Sequence, residues 1–181
     1  PISGLKPHPA FVWGTVIIKK CAARANMATG RLAEEIGAAI EAAADEILAG
    51  GLADQFVVDP FQAGAGTSHN MNANEVMANI ALELTGHAKG EYGFVEPHDD
   101  LNMSQSTNDS YPTALKVAFL LRNDKLVEEL TRLAASFRAK GEAFLTIVKM
   151  GRTELQDAVP MTVGQEFHAF ASALEAEIKL L

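Results

Sequence analysis

Cysteine is almost absent from this chain. Cys21 is the only one among 181 residues, so no internal disulfide can form and stability must come from packing. Such usage fits a reducing compartment and leads us to expect a cytoplasmic protein. Long apolar runs are also missing: no stretch approaches the roughly 20 residues that cross a bilayer, so no membrane role is expected. The first residues, Pro1-Ile-Ser-Gly-Leu-Lys6, lack the charged start and apolar centre of a secretory signal. Positive charge is scarce, with 15 Lys and Arg against 23 Asp and Glu, a net charge of −8 and a pI near 5.1. That balance argues against nucleic acid or an anionic membrane as the main partner. It leaves room for a small anion, because a local site can oppose the global sign. A starting methionine is missing too, and the helical pattern of Ala169–Leu181 stops on Leu180-Leu181 without a cap. The chain therefore reads as a piece of a longer protein. What it does have is apolar residues, 48% of the total, enough for an ordinary domain with a core.

The spacing of those residues predicts an all-α, mainly helical architecture with at most short strands. Pro9 opens a first helix carrying Phe11, Val12, Val16, Ile17, Cys21, Ala22 and Ala25 on one side, and Thr29-Gly30 ends it. A second, alanine-rich helix runs from Leu32 to Leu48, with Leu32, Ile36, Ile40, Ala43, Ala44 and Ile47 facing the core, and Gly50-Gly51 closes it. Gln55–Asp59 is short and β-prone. A third helix passes through Val76, Ile80 and Leu84. From Ser110 to about Val148 the pattern predicts one long helix, with Phe119, Leu126, Leu130, Leu133, Phe137 and Phe144 at coiled-coil spacing. At 1.5 Å per residue it would be roughly 55 Å long, so its stripe requires other long helices as partners. Gly141 marks a place where such a partner comes close.

Three polar stretches interrupt this scaffold. Gly64-Ala-Gly-Thr-Ser-His-Asn-Met-Asn-Ala-Asn-Glu75 follows the β-prone segment, where a glycine turn invites comparison with nucleotide loops. No lysine follows the glycines as a P-loop demands, and His69 stands where the dinucleotide fingerprint needs glycine. What remains is a turn offering Thr67, Ser68, Asn70, Asn72 and Asn74 at a helix start. His69 is read as a surface residue or one backing the site, since no other His or Cys lies at metal-binding spacing from it. The second stretch, Leu101–Thr113, packs Asn102, Ser104, Gln105, Ser106, Thr107, Asn108 and Asp109 before the long helix. Asp109 or Ser110 is expected to cap that helix and Pro112 to occupy its first turn. Backbone N–H groups, hydroxyls and the helix dipole converge there on a place suited to a carboxylate or phosphate. The third, Lys149–Pro160, is expected to be an inter-helix loop bearing Gly151, Arg152 and Thr153. Between the first two stretches, Asp99-Asp100 is read as a turn-capping pair rather than a metal site.

Gly64-Ala-Gly-Thr-Ser-x-Asn-Met-Asn-x-Asn-Glu-Val76, Asn102-x-Ser-Gln-Ser-Thr-Asn-Asp-x-Tyr-Pro-Thr113 and Gly151-Arg-Thr-x-Leu-Gln-Asp-Ala-Val-Pro-Met-Thr-x-Gly-Gln-Glu-Phe167 together resemble the aspartase/fumarase superfamily, in family order and over nearly the whole chain. Ala65, Ser106-Thr107 and Val159-Pro-Met161 make the chain similar to the aspartate ammonia-lyase branch, where class II fumarases show Ser-Gly-Thr, Ser-Ser-Asn-Asp and Thr-Pro-Leu. The resemblance implies a homotetramer around a central helical bundle, with each active site shared by three subunits. It implies reversible anti-elimination of ammonia from L-aspartate to fumarate, a small dicarboxylate substrate and no organic cofactor, with divalent-metal activation in some members. By motif match it assigns substrate binding to Thr67, Ser68, Ser106, Thr107, Asn108, Thr153 and Glu154, and no metal ligand. It divides the chain into an N-terminal helical domain, 1–107, and the start of the bundle, 108–181.

Two departures stand out. Relatives carry Gln or His after Gly-Arg-Thr, whereas this chain has Glu154, a carboxylate that tolerates a dicarboxylate only if protonated, turned away or facing the substrate ammonium. The last of these is our expectation. Glu96-Pro-His-Asp99 replaces the fumarase His-Pro-Asn-Asp, so no second fumarase-type carboxylate site is expected. The family's Gly-Ser-Ser-x-x-x-Pro-Gly-Lys-x-Asn loop, which supplies the catalytic serine, does not occur in these residues. The segment alone is therefore expected to be inactive. Fumarate hydratase, and a non-catalytic helical assembly module whose polar loops only cap helices, are the competing readings.

Overall fold

The computed structural model describes residues 2–63 and 65–181, so Pro1 and Gly64 of the expected first loops lie outside the described residues. Five α-helices and one two-stranded hairpin occur among the described residues: α1 (Pro9–Ala28), α2 (Glu34–Leu48), α3 (Thr67–Leu84), α4 (Thr107–Ala143), β1 (Val148–Thr153), β2 (Gln156–Thr162) and α5 (Val163–Ile178). The all-α reading holds. The chain forms two compact units, one through Leu121 and one from Arg122 to Leu181, with the break inside α4.

In the first unit, α1 starts where expected. Pro9 occupies its first turn and His8 Nδ1 accepts the Ala10 N–H at 3.1 Å. The buried side differs from the expected one. Val12, Val16, Lys19, Ala23 and Asn26 are inside, while Cys21 and Ala25 are exposed. A cation and an amide thus belong to the packed stripe, and hydrophobicity alone places the helix face about one residue off. The face expected of α2 is correct: Leu32, Ile40, Ala43, Ala44 and Ile47 join Val16, Phe56, Met77, Ile80 and Leu82 in one core. Alanines allow close approach there, and Gly14 does the same for α4. A Cβ on Gly14 would collide with the Ala114 carbonyl.

Gln55–Asp59 forms no strand. A short 3₁₀ turn, Ala53–Gln55, takes in its first residue, and the Asn72 side chain substitutes for a neighbouring strand. Asn72 Oδ1 accepts Val57 N at 3.1 Å and its Nδ2 donates to the Gln55 carbonyl at 3.2 Å. Nearby, Asp59 accepts from Ser3 N (2.7 Å), Ser3 Oγ (2.9 Å), Gly4 N (3.0 Å) and Phe61 N (3.0 Å). Burial raises the carboxyl's pKa, yet these donors outweigh it and hold it at about 2.

In the second unit, α4 ends at Ala143 rather than near Val148. The carbonyls just beyond its end are taken by the start of α5: Gly164 N reaches Phe144 O at 3.0 Å and Val163 N reaches Ile147 O at 2.9 Å. Gly141 is indeed a point of close approach, where a Cβ would lie 2.7 Å from the His168 ring. Arg138 binds Glu175 through Nε at 3.0 Å, and Phe137, Phe167 and Phe170 cluster beside it. Along α4, Phe119, Leu126 and Leu133 of the heptad stripe are exposed. The third polar stretch is not an inter-helix loop. It is a hairpin in which β1 and β2 pair antiparallel, Val148 opposite Thr162 and Thr153 opposite Gln156. A bulge at Gly151 shifts the register, and a Thr162/Gln165 capping box starts α5.

Candidate functional site

The first loop ends at Gly66, whose φ of +85° begins α3 without any side-chain cap. The first turn of α3, which opens with Thr67 and Ser68, therefore has no side-chain cap for its N–H groups. Thr67 is exposed and Ser68 half-buried. The Tyr111 ring lies directly against Gly66, so close that any Cβ there would fall inside the ring. Tyr111 comes from α4, and it fixes the first loop against the second.

At the second loop the helix begins earlier than expected. Ser106 is the cap: its Oγ accepts Asn108 N at 3.2 Å, while Asp109 Oδ1 accepts Ser106 N at 3.2 Å. Pro112 consequently sits inside α4 rather than in its first turn. Asn70, on α3, ties the two loops together, donating from Nδ2 to Asn102 Oδ1 at 3.0 Å and to Thr107 Oγ1 at 3.2 Å. Beneath them Lys19, 1% exposed, donates to Asn102 Oδ1 at 3.0 Å and Gln105 Oε1 at 3.2 Å. Asn26 holds the same loop from two helical turns further on, through Met103 O at 3.0 Å and Ser104 Oγ at 2.9 Å. Ser104 is kept at φ +59°, a conformation that few serines adopt without such support. Thr67, Ser68, Ser106, Thr107 and Asn108 thus fall in one region of the first unit, at two adjoining helix starts.

Thr153 and Glu154 belong to the second unit, at the hairpin tip. Glu154 and Leu155 form its two-residue turn with φ of +49° and +63°. That is the conformation for which hairpins prefer Asn-Gly. Both Thr153 and Glu154 are exposed, and Leu155 is 97% exposed. A bulky residue in this backbone region is strained by about 1 kcal/mol or more, a pattern that concentrates at functional loops.

His69 is not at the surface. It is 4% exposed and stacks on Phe11 at 4.5 Å between ring centroids. Thr15 Oγ1 donates to Phe11 O at 2.9 Å, so at the 3.0 Å contact with His69 it can only accept, which places the imidazole proton on Nε2. Nδ1 is left buried without a partner. Desolvation, helped by the positive charge of Lys19, lowers the His69 pKa to about 4. Burial lowers that of Lys19 to about 7, against the pull of Asp109. Both groups bind protons more readily in the unfolded chain, so stability rises with pH through each interval. For His69 that interval runs from its folded value near 4 to the ordinary 6.5 and is worth about 3 kcal/mol. Urea unfolding of the first unit, followed by the fluorescence of Trp13, should therefore show a midpoint that falls steadily from pH 6.5 to 4.5. In His69→Met the part of that slope due to the imidazole should vanish. A slope identical to wild type would contradict the buried neutral ring.

Sequence reasoning missed Lys19, which lies on the buried stripe at the same spacing as Val12, Val16 and Ala23. It also missed the bridging role of Asn70. Asn72 serves the Val57 backbone instead of the site, and Asn74 is fully buried in the core. Asp100 caps a turn, as expected, accepting Glu96 N at 2.8 Å. Glu96, His98 and Asp99 bring ligand-type atoms within 4.8 Å of one another, but Glu96 is occupied by the backbone N–H groups of His98 and Asp99. No helix among the described residues is long and apolar enough to cross a membrane.

Hydroxyls and amide groups at two adjoining helix starts, above the buried Lys19 amine, suit a small, multiply charged anion. A family profile described as Lyase matches residues 5–181, and the chain belongs to that family. Its similarity extends to aspartate ammonia-lyases of Bacillus subtilis, 52% identical over 99% of this chain, and of Escherichia coli, 52% identical over 94%. The chain spans only 38% and 36% of those two proteins. Among solved structures, a fumarate lyase:delta crystallin from Brucella melitensis is 55% identical with a TM-score of 0.76, over 94% of this chain and 40% of that one. A class II fumarase from Schistosoma mansoni is 33% identical with the same TM-score, over 96% of this chain and 36% of the fumarase.

Proposed function

We propose that this chain is the substrate-loop portion of a carbon–nitrogen lyase that reversibly eliminates ammonia from L-aspartate to give fumarate. The observation that carries this reading is the joining of the first two loops by Asn70. It sets Thr107, Ser106 and Asn108 beside Thr67 and Ser68 at two helix starts. Proton loss beside a carboxylate gives a doubly charged aci-carboxylate. Fixed hydroxyls and N–H groups stabilise such charge without reorganising. In this reading Thr67, Ser68, Ser106, Thr107 and Asn108 of the first unit bind substrate, and Thr153 and Glu154 of the second unit's hairpin tip bind substrate in an assembly whose sites are shared among subunits. The serine base belongs to a loop outside these residues, so the chain works within a longer polypeptide. Residues 1–107 form its first domain and 108–181 begin a bundle that is completed in a cytoplasmic homotetramer with shared sites. The exposed stripe of Phe119, Leu126 and Leu133 supports such an assembly. No organic cofactor takes part.

The test is turnover by the full-length protein that carries this segment. Fumarate should form from L-aspartate, and the reverse reaction should require ammonium. Hydration of fumarate to malate without ammonium would favour the hydratase instead, and failure to bind aspartate or fumarate would leave only an assembly module.

Glu154 is the position where this chain departs from the family pattern. Facing the substrate ammonium, it contributes a charge-assisted contact, so Glu154→Gln should raise KM for L-aspartate about tenfold and alter its pH dependence. An unchanged KM and pH profile would remove Glu154 from the amino-group contact.

A further inference from the structure

Lys19 is buried completely in the first unit, and among the described residues no carboxylate forms a salt bridge with it. In its protonated form, held below a pKa of about 7, the Lys19 amine can donate hydrogen bonds but cannot accept them. It therefore dictates which way its neighbouring amides face. Asn102 and Gln105 must both turn their oxygens towards Lys19, and their NH₂ groups are then aimed back into the loop. Asn102 Nδ2 reaches Gln105 O at 3.2 Å, and Gln105 Nε2 reaches Leu101 O at 2.9 Å. Asn102 Oδ1 also accepts Asn70 Nδ2, whose second bond goes to Thr107 Oγ1. With either amide reversed, two NH₂ groups would oppose each other or the ammonium, and these bonds could not coexist.

We propose that Lys19 is a positioning residue. Its buried ammonium sets the polarity of the Asn102–Gln105–Asn70 amide network, and through that network it fixes Ser106 and Thr107 for the dicarboxylate. The inference rests on the lyase reading for its substrate. It rests on the hydrogen bonds alone for the loop. The role is separable from stability, because a desolvated charge without a counterion costs the fold free energy, and an apolar side chain of similar length relieves that cost. Loss of the ammonium therefore impairs the site while leaving the fold as stable as before or more so.

The experiment is a double-mutant cycle in the full-length protein with Lys19→Met, Gln105→Leu and both together. Its readouts are kcat and KM for L-aspartate, the melting temperature, and amide hydrogen exchange across residues 101–110. Displacement of the grip by about an ångström costs on the order of 100-fold. Lys19→Met should accordingly lower kcat/KM about 100-fold with both constants affected, an unchanged or raised melting temperature and faster exchange in 101–110. Gln105→Leu should lose about tenfold. The double variant should lose no more than Lys19→Met alone, because the two act along one path. Wild-type kinetics in Lys19→Met, or losses that simply multiply, would overturn the proposal. If Lys19→Met does not fold, Gln105→Leu decides: normal kinetics and exchange in that variant overturn it. If the wild type does not convert L-aspartate, the lyase reading fails on its own. The exchange comparison then judges the network, and unchanged exchange in 101–110 refutes it.

Discussion

Gly66→Ala is expected to destabilise the first unit by about 3 kcal/mol and to abolish measurable turnover. Two costs combine. The backbone at +85° penalises any Cβ by about 1 kcal/mol, and the new methyl would occupy the Tyr111 ring, forcing a shift that typically costs another 1–3 kcal/mol. The shift matters more than its energy, since Tyr111 and the start of α4 belong to the second substrate loop. Gly30→Ala provides the comparison. It has a similar φ of +69° but nothing within 4 Å of its Cβ, so it should lose only about 1 kcal/mol and remain active. Urea unfolding and steady-state assays on both variants separate the steric term from the conformational one. Equal losses would mean that Tyr111 does not clamp the loop.

Thr107→Val is expected to lower kcat/KM by about 100-fold or more while changing stability by less than about 1 kcal/mol. Asn70 Nδ2 donates to Thr107 Oγ1, which occupies one of the oxygen's lone pairs and leaves its proton to be offered outward. The hydroxyl is thus a donor oriented before the substrate arrives, and valine keeps its shape without the donor. Asn70 retains Asn102 as an acceptor, so the fold loses little. Thr107→Ser should recover most of the activity. A valine variant with near-normal kcat/KM would place the substrate elsewhere.

Helix positions were legible because their apolar residues repeat strictly, as the buried face of α2 shows. Of the site residues named from motifs, Thr67 and Ser68 open a helix as expected, whereas Ser106, Thr107 and Asn108 stand at a helix start that comes earlier than expected and Thr153 and Glu154 lie at a hairpin tip. What the sequence did not disclose has physical reasons. Lys19 and Asn26 sit on a buried stripe that hydropathy assigns to neighbours, because their partners are loop amides far along the chain. The hairpin was hidden by Gly151 and Pro160 within its strands and by a Glu-Leu turn that lacks the usual hairpin residues. Its conformation is decided by the strand pairing, not by local preference. The end of α4 was overestimated because the apolar pattern continues into Phe144, whereas α5 takes up the carbonyls there.

The Asp59 cluster acts on the chain as a polymer. By holding Ser3, a residue 56 positions earlier, it closes a ring around α1 and α2 as a crosslink would. A ring of that length removes several units of RT of freedom from the open chain, and the logarithmic law makes the gain insensitive to loop insertions within it. Because the carboxyl stays ionised down to a pH of about 2, this clasp remains shut under acid conditions that protonate His69. The first unit should then open from its interior at the His69 contact before its ends separate.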